Sequence, residues 1–212
     1  MDESQLIFND TMSEGTIGEL LFFMSPAVLP WFNELLQRGF YVTNSVGITI
    51  QEFLTRQIGL SKEYIGQKLS TILLDGKIVG DIGSAIIKRG SVLALSSAMP
   101  GLVGAAMRRG GVYSALRNSI TYQETGNPCV LKEGTVHMKL FNLLMNDLGP
   151  HLLKKGILVR SMDLADFLSK RSEAFWTGCR NIFLNEKSLS IDQLRKGNPL
   201  SRYGMIHLSV KT

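Results

Sequence analysis

Apolar residues recur at two spacings along the chain, and these spacings predict short strands alternating with short helices. Stretches rich in β-branched and aromatic residues, or with alternating apolar and polar positions, are typical of strands. The pair Asp75-Gly76 follows one of them and is a strong hairpin signal. In the second half of the chain Asn185-Glu186 takes its place and predicts a looser turn. The predicted strands are residues 16–23, 40–43, 70–74, 92–95, 135–143, 157–160 and 205–210.

Two helices interrupt this pattern in each half of the chain: a short one, at residues 29–37 and 150–155, and an amphipathic one. Ile50, Phe53, Leu54 and Ile58 lie on one face of a helix with 3.6 residues per turn, and Thr49 precedes them as a predicted N-cap. The helix of the second half is predicted to have Asp163 as its N-cap and an inner face of Leu164, Phe167 and Leu168.

Several stretches of the first half are echoed in the second half in the same order, which is typical of an internal duplication. Small insertions in loops account for the drifting offsets between the matched stretches, since loops tolerate insertions well. We therefore predict an α+β fold of two tandem β-grasp-like units, each with the order strand-strand-helix-strand-strand. The matched pairs are residues 14–23 with 133–142, 38–42 with 155–159, 51–56 with 165–170, 71–77 with 181–187 and 91–97 with 204–210.

The duplication divides the chain into four predicted parts. They are an N-terminal tail at residues 1–13, a first repeat at 14–97, a connector at 98–132 and a second repeat at 133–212. The repeats do not account for the connector, which holds glycines and arginines.

One part of the first repeat has a more specific pattern. The helix at residues 51–60, QEFLTRQIGL, precedes the turn Asp75-Gly76-Lys77, and the step Lys88-Arg89-Gly90-Ser91 leads into the strand at 92–95. Over residues 49–104 the chain resembles the ubiquitin-like sulfur carriers, the small subunit of molybdopterin synthase and the thiamine-pathway carrier. The resemblance implies a β-grasp fold. The carriers use a terminal Gly-Gly, whereas Gly110-Gly111 lies mid-chain, so the resemblance does not extend to carrier chemistry.

The composition indicates a globular protein, and the distribution of charge indicates which partners to expect. Of the 212 residues 44% are hydrophobic, which excludes global disorder, and with 2 cysteines a disulfide scaffold is excluded as well. The net charge of +5 is spread along the chain, so a nucleic-acid partner is not expected.

The uncharged run 91–107 contains Pro100, and we predict no membrane span there. The acidic start lacks the features of a signal peptide, so we expect a cytoplasmic protein.

The sequence shows no catalytic or metal-binding constellation. It contains no phosphate-binding or dinucleotide-binding glycine motif and no nucleophile elbow. His137, His151 and His207 are far apart, and Cys129 and Cys179 lack the spacing of metal ligands. We therefore predict no catalytic residue, no metal and no cofactor; whether the protein is an enzyme stays open, and a non-enzymatic role is favoured.

The connector holds the candidate anion site. Backbone amides in a glycine loop, with arginine side chains beside them, suit phosphate or carboxylate recognition. The other interpretation is a structural connector whose arginines are solvated. The candidate anion-binding residues are Arg108, Arg109, Gly110, Gly111 and Arg117.

Apolar residues without an evident partner inside one repeat suggest an interface. The leading hypothesis is a non-enzymatic binding or assembly module, with a protein partner or with itself as a homo-oligomer. The alternative is an enzyme or sensor that binds an anionic small molecule at the 101–117 loop. The candidate interface residues are Phe22, Phe23, Trp31, Leu102 and Val103.

Overall fold

The computed structural model describes residues 16–97, 104, 107, 121–123, 132–196 and 198–212. The strands within them are β1 (Ile17–Met24), β2 (Phe40–Val46), β3 (Ile48–Thr49), β4 (Thr71–Leu74), β5 (Lys77–Ile78), β6 (Ile86–Ile87), β7 (Val92–Ser96), β8 (Lys132–Phe141), β9 (Ile157–Arg160), β10 (Cys179–Leu184), β11 (Lys187–Leu189) and β12 (Met205–Lys211). The helices are α1 (Asn33–Arg38), α2 (Ile50–Glu52), α3 (Lys62–Lys68), α4 (Leu144–Lys155), α5 (Ser161–Ser169), α6 (Glu173–Thr177) and α7 (Ile191–Lys196). A 3-10 segment, Pro26–Phe32, precedes α1, and a π-helical turn, Phe53–Ile58, continues α2.

The chain forms two compact units, one of which is interrupted by the other. We call Met1–Phe40 together with Met145–Thr212 the split unit, and Tyr41–Leu144 the inserted unit. The inserted unit is one continuous stretch of chain, whereas the split unit is assembled from both ends.

The strands of the split unit follow the order β11-β10-β1-β12-β9 in a mixed sheet. The central strand β1 runs antiparallel to β10 and parallel to β12, while β12 runs antiparallel to β9. Burial alternates along β1, because successive side chains of a strand point to opposite faces of the sheet. One face of this sheet is therefore packed in the core and the other is only partly covered.

Aromatic rings fill the core of the split unit. The ring of Phe22 on β1 lies edge-on to Phe32, with centroids 6.4 Å apart. Phe32 also packs against Phe167 and Phe175, at 5.3 and 5.6 Å. All four rings are fully buried. Their contacts join the segment Pro26–Phe32 and the helices α5 and α6 to the sheet.

The strands of the inserted unit follow the order β2-β8-β7-β4-β5 in a mixed sheet. The strand β7 runs parallel to β8 and antiparallel to β4, and the short strands β3 and β6 pair separately. Asp75 and Gly76, with φ of 50° and 77°, form the tight turn between β4 and β5. At α2, the Thr49 side chain accepts from the backbone N–H of Glu52, and Glu52 in turn accepts from the N–H of Thr49. This capping box fixes where the helix begins.

Most predicted elements are confirmed, with bounds that shift by a few residues. The inner faces of both amphipathic helices are buried as predicted. The prediction of Asp163 as an N-cap is wrong, because α5 begins at Ser161 directly after β9 and has Arg160 in the cap position. Asp163 instead accepts a hydrogen bond from Arg160 Nε at 2.6 Å.

The prediction of a fold with both helices and strands is confirmed, and the strands form a large mixed sheet. The tandem β-grasp duplication is not confirmed. The strand β1, from the predicted first repeat, pairs with β12 from the second. The strand β8, from the second repeat, pairs with β7 from the first. Hydrophobic alternation specifies which face of a strand is buried, but it does not specify the neighbouring strand.

No helix in the described part of the chain combines the length and the apolar character that a membrane crossing requires.

Candidate functional site

A cleft of about 230 Å³ opens on the split unit between the 3-10 segment and the first turns of α4. Its walls are apolar side chains, three of them prolines, and two asparagines add the polar groups. The lining residues are Pro26, Leu29, Pro30, Asn33, Met145, Asn146, Gly149 and Pro150.

Local sequence explains the shape of this cleft. Ser25 accepts a hydrogen bond from the N–H of Ala27, and Pro26 starts the 3-10 segment with its fixed φ. On the opposite wall, a Cβ added to Gly149 would lie 2.7 Å from Leu36 Cδ1. Gly149 lets α4 lie close to α1, because any larger residue there would require the end of the Leu36 side chain to move. Pro26 on one wall and Gly149 on the other therefore shape the cleft.

The two asparagines form a polar pair in the cleft. Asn33 Nδ2 donates to Asn146 Oδ1 at 2.7 Å. Asn33 Oδ1 is left as an acceptor and Asn146 Nδ2 as a donor, and neither atom has another protein partner within the described residues. One free donor beside one free acceptor matches the hydrogen-bonding groups of a peptide.

None of the eight lining residues is ionisable or nucleophilic. Acid–base and nucleophilic catalysis need a titratable or nucleophilic side chain within hydrogen-bond reach of the reacting atom. The cleft can therefore bind and orient an uncharged group, but its own side chains supply no such chemistry.

A cluster of ion pairs beside α1 positions the helices. Asp166 accepts from Lys170 Nζ at 2.8 Å and from Arg38 at 2.9 Å, and these hydrogen bonds lower the pKa of its carboxyl group. Arg171 pairs with Glu34 at 2.5 Å, and its guanidinium lies 4.2 Å from the centre of the Phe167 ring. Sequence reasoning missed this cluster, although Glu34–Arg38 and Asp166–Lys170 have the four-residue spacing of helical ion pairs. Each of these charges is paired, so the cluster holds α1 against α5.

The predicted interface residues lie in different environments. Phe22 is fully buried in the core of the split unit, because its side chain points to the packed face of the sheet. Phe23 is half-buried on the opposite face of that sheet. Trp31 is 36% exposed, and its ring lies 6.1 Å from Phe175. Leu102 and Val103 lie outside the described residues, so Phe23 and Trp31 are the two predicted residues with a described, partly exposed surface.

The predicted anion-binding residues all lie outside the described residues. They are Arg108, Arg109, Gly110, Gly111 and Arg117. The anion site in the 101–117 loop therefore stays a prediction.

The described histidines and cysteine do not form a common centre. His137 stacks on Tyr41 in the inserted unit, with ring centroids 4.5 Å apart. In the split unit His207 packs over Gly156, where an added Cβ would lie 2.3 Å from His207 Nε2. Burial raises the pKa of the Cys179 thiol to about 11, so little thiolate forms at neutral pH. Within the described ranges, no group of three His, Cys, Asp or Glu side chains could hold a metal ion.

Comparison of the chain with protein-family models, with curated proteins and with solved structures finds no match in any of the three. The function is therefore inferred from the geometry of the chain itself.

Proposed function

We propose that the protein is a non-enzymatic binding module whose cleft takes one uncharged, apolar side chain of a protein partner. The observation that carries this proposal is a lining of apolar walls and two amides with no ionisable group. Protein interfaces commonly concentrate their binding energy where a large side chain enters a pocket of this kind.

The size of the cleft supports a single side chain as the occupant. Sites for drug-sized ligands and cofactors usually measure about 300–1,000 Å³. The cleft, at about 230 Å³, is smaller. An aromatic or large aliphatic side chain gains free energy against the prolines, Leu29 and Met145 by leaving water.

The asparagine pair supports a peptide in particular. Asn33 Oδ1 accepts a hydrogen bond from a peptide N–H, and Asn146 Nδ2 donates one to a peptide carbonyl. The apolar walls select the side chain, while the amides orient the backbone that carries it. A charged side chain is rejected, because no described group of the cleft would compensate the loss of its hydration.

The experiment is a titration of the full chain with capped amino acids, followed through the Met methyl signals in an NMR spectrum. The probes are N-acetyl-phenylalanine methylamide, its leucine analogue and its glutamate analogue. We expect the Met145 methyl signal to shift with the first two probes, with a dissociation constant of about 0.1–1 mM for a ligand of this size. The Met162 methyl, which is 80% exposed and does not line the cleft, serves as an internal control.

Two variants make the test specific to the cleft. Leu29→Asp places a charge in the wall and should abolish the Met145 shift, whereas Ala27→Asp on the same 3-10 segment is exposed and does not line the cleft, so it should leave the shift unchanged. If the Met145 methyl signal shifts with none of the three probes, the proposal is overturned. If the Met145 signal shifts with protein concentration alone, the occupant is a second copy of this chain. That result would overturn the proposal that the cleft binds a different protein.

A further inference from the structure

The partly covered face of the split unit's sheet carries an apolar patch with a polar rim. Leu21 and Phe23 on β1 and Phe183 on β10 point to this face, and each is half-buried. The rings of Phe23 and Phe183 touch edge to face, with centroids 6.0 Å apart. Polar side chains surround the three on the same face: Glu19, Asn181, Ser188, His207, Ser209 and Lys211. An apolar centre with a polar rim is the usual anatomy of a protein interface.

Two opposite charges lie at the two ends of this patch. In the pairing of β1 with β12, Glu19 is beside His207 at one end, and Lys211 is beside Phe23 at the other end. The two charges are therefore four residues apart along neighbouring strands, or about 13 Å at the usual rise of a strand. Both are exposed, and neither makes an ion pair with any described residue. Lys211 Nζ instead lies 5.8 Å from the centre of the Phe23 ring.

This arrangement is self-complementary. Consider a two-fold axis that lies in the plane of the interface and crosses the two strands midway between the charges, at Leu21 and Ser209. Rotation about this axis exchanges the positions of Glu19 and Lys211. A second copy placed by this axis sets its Lys211 against Glu19, and its Glu19 against Lys211. The same operation brings Phe23 of one copy to Phe183 of the other. With strands about 4.8 Å apart, the facing strands cross at roughly 40°, close to the 30° of aligned sheet packing.

We infer that the protein forms an isologous dimer through this face, with a second copy of the chain as the occupant. The surface is distinct from the cleft, shares no residue with it, and does not depend on the function proposed for it. In a closed two-fold dimer each contact occurs twice. The apolar centre supplies the affinity, and the two Glu19–Lys211 pairs at its rim fix the orientation.

Charge reversal at the two ends tests the inference in the full chain, by sedimentation velocity over a range of concentrations. Glu19→Lys places two lysines opposite each other, and Lys211→Glu places two glutamates opposite each other. Each single variant should weaken the dimer by about tenfold or more, since like charges repel across an interface. The double variant exchanges both signs and should restore the affinity of the wild type. Lys62→Glu, an exposed position in the inserted unit, is the control and should leave the dimer unchanged.

A mixture of the two single variants gives the sharpest result. One chain then carries only lysines at the two positions and the other only glutamates, so the mixture should form a heterodimer although each variant alone is weakened. Phe183→Ser should weaken the dimer without any rescue by charge. A wild-type chain that stays monomeric at all concentrations overturns the inference. The inference is also overturned if the single charge reversals leave the dimer affinity unchanged, or if the two single variants do not form a heterodimer when mixed.

Discussion

At the scale of single residues, Thr71 is an uncompensated polar group. It is fully buried at the start of β4, and its Oγ1 has no hydrogen-bond partner within the described residues. Ser96, directly opposite on β7, accepts from Asn142 Nδ2 at 3.0 Å. A buried hydroxyl without a partner loses its hydration and gains nothing in return. The side chain at this position therefore lowers the stability of the inserted unit.

Thr71→Val keeps the shape of the side chain and removes the hydroxyl. We expect the free energy of unfolding to rise by about 1 kcal/mol, because the desolvation cost disappears and valine suits a strand. Urea denaturation followed by circular dichroism measures the change. Thr55→Val is the matched control and should give no such gain, since the Thr55 hydroxyl donates to the Gln51 carbonyl at 2.7 Å. A Thr71→Val protein that is less stable than the wild type contradicts the prediction.

At the scale of elements, the two hairpin turns have the same geometry despite different sequences. Asp75 and Gly76 have φ of 50° and 77°, and Asn185 and Glu186 have φ of 47° and 65°. The second turn is therefore as tight as the first, and the prediction of a looser turn is wrong. Asn185 adds its own contacts: its Oδ1 accepts from the N–H of Glu19 at 2.7 Å, and its Nδ2 donates to the Tyr203 hydroxyl. Asp75 bonds in the same way in the first turn, where it accepts from the N–H of Val92 at 2.7 Å, so the first residue holds each turn.

Glu186→Gly should stabilise the hairpin between β10 and β11. Glutamate is strained at a positive φ, whereas Asn-Gly is the preferred pair for this turn. The expected gain is about 1 kcal/mol in the free energy of unfolding, measured by urea denaturation. Gly76→Glu reverses the change in the other hairpin and should cost a similar amount. No difference for either variant would mean that the surrounding bonds, rather than φ, determine the stability of the turns.

Local elements could be predicted from the sequence because the forces that form them are local. The Thr49–Glu52 capping box and the buried face of α2 lie within ten residues of each other. The cleft could not be predicted in this way, because Asn33 and Asn146 are 113 residues apart and neither has a distinctive neighbourhood. A hydrogen bond between two distant asparagines is not accompanied by any periodic pattern in the sequence. The same holds for the patch around Phe23, which depends on the pairing of β1 with β10 and β12.

At the scale of the whole molecule, the division into a split and an inserted unit predicts separable stabilities. Leu20 lies in the centre of β1 and is 1% exposed, so Leu20→Asp buries an uncompensated charge in the split unit. We expect amides of β10 and β12 to lose protection in hydrogen exchange, while amides of β4 and β7 keep it. Mass spectrometry of peptic fragments measures both sets. The exposed variant Glu63→Lys serves as the control and should change neither set. Equal loss in both sets would show that the two units unfold together.

The pairing of β1 with β12 also bears on how the chain is made. A ribosome releases β1 about 180 residues before its parallel neighbour β12, which lies at residues 205–211. At about 5–20 residues per second, translation leaves β1 without that neighbour for some ten seconds or longer. The inserted unit, whose strands are all made in between, can fold during this interval. The apolar face of β1 must therefore stay soluble until β12 has been synthesised, so the nascent chain is expected to need protection from aggregation at β1.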